Sequence, residues 1–177
     1  DARGGVFDGI SRTVTWPIKK LDVNASREFP FVVQLTGAFA AGSTQLPIHL
    51  ETSGKHIESK TAETSLWVDA SPKLQLHLDT DVDDATPNSD IRYHLSLRNE
   101  GNAAAEGVTL QLALPPRSIL LDGGPDAIHE TSAGSVQWPL PSLDIGESFD
   151  VVAAVRLADT FPAGTTTLAT RASVRAN

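Results

Sequence analysis

The sequence contains no cysteine and no methionine. Without thiols there is no disulfide, no thiol nucleophile and no Cys-ligated metal site. The missing initiator residue leads to the expectation of a processed chain or a segment of a longer one. Basic residues are also scarce, with 14 Lys and Arg against 22 Asp and Glu, a net charge of −8 and a pI of about 5.0. Binding a phosphate backbone requires clustered cations. Lys19-Lys20 is the only adjacent basic pair, so nucleic acid is not an expected partner. No apolar run reaches the roughly 18 residues that a transmembrane helix needs, and residues 1–5 have no signal-peptide core. Gly-x-Ser-x-Gly and His-Glu-x-x-His are both absent, no acid pair stands out, and no enzyme is expected.

Helical periodicity is nearly absent as well, and period-2 alternation replaces it. Ile91, Tyr93, Leu95 and Leu97 alternate with Arg92, His94, Ser96 and Arg98. Leu74, Leu76 and Leu78 do the same, as do Val108 to Leu114, Val136 to Leu140, Phe149 to Leu157 and Leu168 to Val174. One face on a core and one in water is the signature of antiparallel sheets. Turn chemistry separates the runs at Asn99-Glu100-Gly101-Asn102, Pro115-Pro116, Asp122-Gly123-Gly124-Pro125 and Phe161-Pro162-Ala163-Gly164. Short strands so spaced predict an all-β chain of Ig-like Greek-key β-sandwich modules.

The number of modules follows from an internal duplication. Trp16-Pro17-Ile18 returns as Trp138-Pro139-Leu140, an offset of 122 residues that then holds without a gap. Leu21-Asp22 matches Leu143-Asp144, Ser26 matches Ser148, Val33 matches Val155, and Ala41-Gly42 matches Ala163-Gly164. A repeat this long is a domain and not a solenoid unit. Two modules are therefore expected. Residues 1–72 would be the C-terminal part of one, incomplete at its N-terminal side. Residues 73–177 would be a second that lacks its last strand. In the first repeat, Val14 to Ile18, Phe29 to Leu35, Leu46 to Leu50 and Ser59 to Ala70 are expected strands. Counterparts of residues 73–122 do not precede the first repeat, and a counterpart of Ser59 to Ala70 does not follow the second. Further tandem copies or strand donation from another molecule would each supply them.

The second repeat resembles a known family in its motifs. Leu95-Ser-Leu-Arg-Asn-Glu-Gly101, Val108-Thr-Leu110, Leu114-Pro115, Val136-Gln-Trp138 and Leu143-Asp-Ile-Gly-Glu-Ser148 are similar to the prokaryotic Ig-like conserved surface repeat, the domain of unknown function eleven family. The first repeat carries only the later half of this pattern, with Asn24-Ala25-Ser26 in place of Gly-Glu-Ser. The resemblance implies location more than activity: a stalk, adhesin, S-layer or filament module at the cell surface or outside the cell. It carries no catalytic residues with it.

Three kinds of site are candidates. Asp79, Asp81, Asp83, Asp84 and Asp90 crowd one inter-strand loop, and calcium takes six to eight oxygen ligands. The spacing of the first three resembles an EF-hand start, but Asp84 stands where that loop needs Gly. Asn24-Ala25-Ser26 is a sequon for N-glycosylation. Leu66, Trp67 and Val68 on the closing strand, with Leu168 and Val174 on the strand that lacks such a neighbour, form the candidate interface. Its partners would be copies of the chain or neighbouring modules. His77 and His94 are expected outward on adjacent strands. The competing reading is a ligand-binding adhesin or carbohydrate-binding module, with its site on loops 85–89 and 122–129.

Overall fold

The computed structural model describes residues 2–176, and every regular element among them is a β-strand. Two compact units divide the chain, Asp1–Gly37 and Ala38–Asn177. In the first, β1 (Val6–Asp8) and β2 (Thr13–Thr15) form a short hairpin. In the second, β3 (Gly42–Gly54) and β4 (Ile57–Ala70) form a long two-stranded hairpin that leads into a sandwich.

The sandwich has four strands in each layer. One sheet runs β5 (Leu74–Thr80), β6 (Asp90–Asn99), β11 (Ser148–Leu157), β8 (Ser118–Asp122). The other runs β12 (Arg171–Arg175), β7 (Ala105–Ala113), β10 (Ser135–Leu143), β9 (Ile128–Glu130). All pairings are antiparallel. Within the sandwich only β5–β6 and β9–β10 are connected inside one sheet, and every other connection crosses between layers.

The alternating residues meet in the middle as expected. Ile91, Tyr93 and Leu95 of β6 and Val151, Ala153 and Val155 of β11 face Leu110 and Leu112 of β7 and Val136 and Trp138 of β10. At about 1.5–3 kcal/mol for each large side chain, this cluster is the main driving force of the fold. A second cluster of Leu97, Ala105, Val108 and Leu143 fills the end near the linker. Trp138 is fully buried and its indole N–H donates to the Gly123 carbonyl at 2.9 Å, so the ring brings no unpaired polar group into the core.

The duplication survives in local geometry. In the first unit Val6, Phe7 and Asp8 pair with Thr15, Val14 and Thr13. Adding 122 to each number gives the β9–β10 register, Ile128, His129 and Glu130 with Gln137, Val136 and Ser135. The left-handed turn positions repeat too: Arg12 (φ 54°) matches Gly134 (φ 59°), and Asn24 (φ 61°) matches Gly146 (φ 78°). Asn is the residue after glycine that best tolerates this conformation. The amide of Ala25 bonds the Asp22 carbonyl, and that of Glu147 bonds Asp144, both at 3.0 Å.

Tertiary structure does not repeat. Residues 26–36, the counterpart of β11 and its flank, carry no regular structure, although their alternation predicts a strand. The reason is hydrogen bonding. β11 lies between β6 and β8, and the first repeat has no counterpart of either in this sequence. A strand persists where neighbouring strands take up its amides and carbonyls along its length. The division into compact units falls at Gly37. β3 and β4 are held to the second unit by the linker bonds described below.

Candidate functional site: the linker clamp, the projecting hairpin and the free edge

The connection from β4 to β5 is short, and it is fastened. Asn102 accepts from the Ser71 amide through Oδ1 at 2.8 Å and donates through Nδ2 to the Asp69 carbonyl at 3.2 Å. The Asn102 and Glu100 amides donate to the Ser71 and Lys73 carbonyls at 3.1 and 2.8 Å. Asn99 sits beneath, fully buried. Its Oδ1 accepts from the amides of Lys73 (3.1 Å) and Gly101 (2.9 Å), and its Nδ2 donates to the carbonyls of Ala103 (2.8 Å) and Leu143 (3.0 Å). Gly101 lies against the linker backbone, and a Cβ there would meet the Ser71 carbonyl oxygen at 2.4 Å and the Lys73 nitrogen at 2.5 Å. The Asn-x-Gly-Asn stretch that reads as a turn is therefore a clamp for the incoming chain.

Beyond the clamp the β3–β4 hairpin presents two different faces. Thr44, Leu46, Ile48 and Leu50 lie across from Val68, Leu66, Thr64 and Ala62. Leu66 and Leu50 are about half exposed, so an apolar stripe runs along this face of the two-stranded sheet. The other face carries Gln45 across from Trp67 and His49 across from Glu63, whose Nδ1 and Oε1 are 3.0 Å apart. Trp67 is 59 % exposed. Ser43 and Asp69 hydrogen-bond near the base. Isolated two-stranded hairpins are marginal in water and gain most from a further strand or layer.

The interface residues expected on the second repeat are placed differently. The strand begins at Arg171, so Leu168, where the alternation starts, lies in the irregular approach to β12. Leu168 packs on the main core and Val174 on the smaller cluster. What β12 offers outward is its edge. It pairs with β7 on one side, and no strand of the described residues pairs with it on the other.

The structure does not gather the five aspartates of the calcium reading. Asp90 is held by Arg156 in a two-pronged contact, Nε to Oδ1 at 2.7 Å and Nη2 to Oδ2 at 3.0 Å. Those hydrogen bonds hold the Asp90 carboxyl below its ordinary range and raise the Arg156 guanidinium. Asp81 accepts from the Arg92 amide at 2.9 Å and lies 3.7 Å from its guanidinium. Asp79 turns back on the Thr80 amide at 2.8 Å, and Asp83 and Asp84 are exposed. Among the described residues no group of three or more His, Asp or Glu is arranged to hold a metal ion. Arg156 and Arg92 thus engage two of the five carboxylates, those of Asp90 and Asp81.

His77 and His94 do point outward on adjacent strands. With Asp79, Asp122 and Asp150 they line an open depression of about 520 Å³ on the outer face of β5, β6 and β11. Asn24, the sequon residue, is exposed in its turn. Residues missed in the sequence are Asn99 and Asn102, which read there only as part of a turn, and Glu63, the partner of His49 in the hairpin.

No family model matches the chain, and no curated protein does. Solved structures give a partial likeness. The chitin-binding domain of a chitinase from Pyrococcus furiosus is 13 % identical over 61 % of this chain and 95 % of that one, with a TM-score of 0.37.

Proposed function

We propose that the chain is a structural module of a tandem prokaryotic assembly, at the cell surface or outside the cell. In this reading it joins its neighbours by adding a strand to a sheet edge. The observation that carries the reading is the different partner of two equivalent strands. Residues 49–53 of β3 pair with β4, whereas β12, their counterpart 122 residues on, pairs with β7 and has no β4-type neighbour among the described residues; each strand pairs on one side only. Open edges are templates for further pairing unless something covers them. The envelope location is supported by the resemblance of the Asn-x-Gly, Val-x-Leu and Trp motifs of the second repeat.

The occupant of the β12 edge in this reading is a β4-type strand from a neighbouring copy, in the register that β4 takes on β3. That register sets Glu63 opposite His49 in the hairpin and would set it opposite Arg171 on β12. An arginine is a better partner for a carboxylate than an imidazole, because its planar fork can grip both oxygens.

A peptide of residues 57–70, titrated into the full chain and followed by calorimetry, tests this. Binding at one site per chain is expected. Arg171→Glu should weaken it about tenfold, and a peptide carrying Glu63→Arg should recover it on that variant. A chain that ignores the peptide and stays monomeric at every concentration in light scattering would sink the reading. If it bound soluble glycans instead, the ligand-binding alternative would replace it.

A further inference from the structure

The first unit carries a core-type face that the unit's own described residues leave largely exposed. Trp16, Phe29, Phe31, Val33 and Leu35 are the counterparts of Trp138, Val151, Ala153, Val155 and Leu157. All five counterparts are buried, none more than 6 % exposed. In the first unit Val33 is 62 % exposed, Phe31 44 % and Leu35 43 %, and Trp16 is only half-buried. The apolar pattern is therefore kept while its cover is absent.

Local packing has begun toward the same end. The Trp16 ring lies 5.6 Å from both Phe29 and Phe31. Its indole N–H donates to the Ala2 carbonyl at 2.9 Å, much as Trp138 donates to Gly123. The β1–β2 register matches that of β9–β10. What the second repeat adds is residues 73–122, whose β6 and β8 flank β11 in one sheet and whose β7 pairs with β10 in the other, so that Ile91, Tyr93, Leu95, Leu110 and Leu112 join Trp138 in the core.

We propose that this face of residues 1–37 is the closing half of a β-sandwich and takes as its partner a leading half-module of the β5–β8 kind. The duplication identifies the occupant, since the same residues in the second repeat are covered by such a segment. Residues 73–122 of a second copy are a poor source, because their inner faces are already spent on their own β9 to β12. The segment that fits is one joined in register ahead of the face, as Asp122 is joined to Gly123. Such a partner would give residues 26–36 the two flanking strands they lack and convert them to a strand.

The test is the full chain extended by a second copy of residues 73–122 placed directly before Asp1. Hydrogen exchange by mass spectrometry should show the amides of residues 26–36 slowed about 100-fold against the unextended chain. A matched extension with Leu95→Asp and Leu110→Asp in the grafted copy alone should return them to the unextended rate. Unchanged exchange at 26–36, with residues 148–157 still protected, overturns the proposal, and so does a graft that stays unprotected. Protection that survives the aspartate pair also overturns it. Protection that arises in the unextended chain as concentration rises would name a second copy as the occupant and overturn the choice made here. Each readout is independent of peptide binding at β12, so the two proposals fail separately.

Discussion

The side-chain amide of Asn99, on β6, donates to the main-chain carbonyl of Leu143, on β10, at 3.0 Å, and joins the two layers of the sandwich at their buried end. The same side chain holds Lys73, Gly101 and Ala103. It uses both donor hydrogens and both acceptor sites, which is the full capacity of an amide. Asn99→Ala would strand two amides and two carbonyls at once. The expected loss is about 3 kcal/mol of unfolding free energy, read as a lower urea midpoint. Asn99→Asp should not rescue it, because a carboxylate cannot donate to Ala103 and Leu143.

Gly101→Ala is expected to destabilise by about 1–3 kcal/mol through overpacking. The atoms it meets are linker backbone, which cannot rotate aside as a side chain can. Thermal melting gives the loss. Faster hydrogen exchange at residues 69–73 would show that the linker has lifted.

The duplicated tryptophans give a paired comparison. Trp138→Ala empties the centre of the core and strands the Gly123 carbonyl, so a loss of about 3–5 kcal/mol is expected. Trp16→Ala should leave the urea transition of the sandwich unmoved, since Trp16 belongs to the other compact unit. Equal losses from the two substitutions would contradict this division.

Asp90 should titrate below the usual carboxylate range in the folded protein, owing first to its hydrogen bonds from Arg156. The sign follows from linkage. A depressed folded value contributes stability that is present above the unfolded carboxylate's pKa and is lost as pH falls through the folded one. Arg156→Gln should move the Asp90 midpoint upward in a carboxyl NMR titration. Tyr93 should ionise above the ordinary phenol range in alkaline titration, because burial and then the nearby Asp81 charge disfavour the phenolate.

Added Ca²⁺ is expected to leave the melting temperature unchanged relative to EDTA, since Asp81 and Asp90 are engaged by arginines. A rise with calcium concentration would show a site that binds the folded state.

Much of the second module is legible in its sequence. Alternation of large apolar residues assigns the inward faces of β6, β7, β10 and β11 correctly, because both layers bury one face only. β8 and β9 escape that reading. Ile128-His129-Glu130 is exposed throughout, so it has no burial pattern to betray it. The segment 29–35 shows the opposite failure: its pattern is that of a buried strand, yet strand formation is decided by neighbours that the local sequence does not contain. The aspartate loop misleads for a similar reason. Carboxylate spacing is visible along the chain, but Arg156 lies 66 residues from Asp90. The Asn-x-Gly-Asn clamp is visible as a turn, while its four-way hydrogen bonding depends on a linker about 30 residues upstream and a strand end 44 residues downstream.

The clamp has a mechanical corollary. A pull transmitted down the chain from β4 meets the Asn102 and Asn99 bonds to Asp69, Ser71 and Lys73 before it can peel β5 from the sheet. These small contacts would act as a sacrificial fuse. They would yield and re-form under load while the hydrophobic interior behind them stays closed.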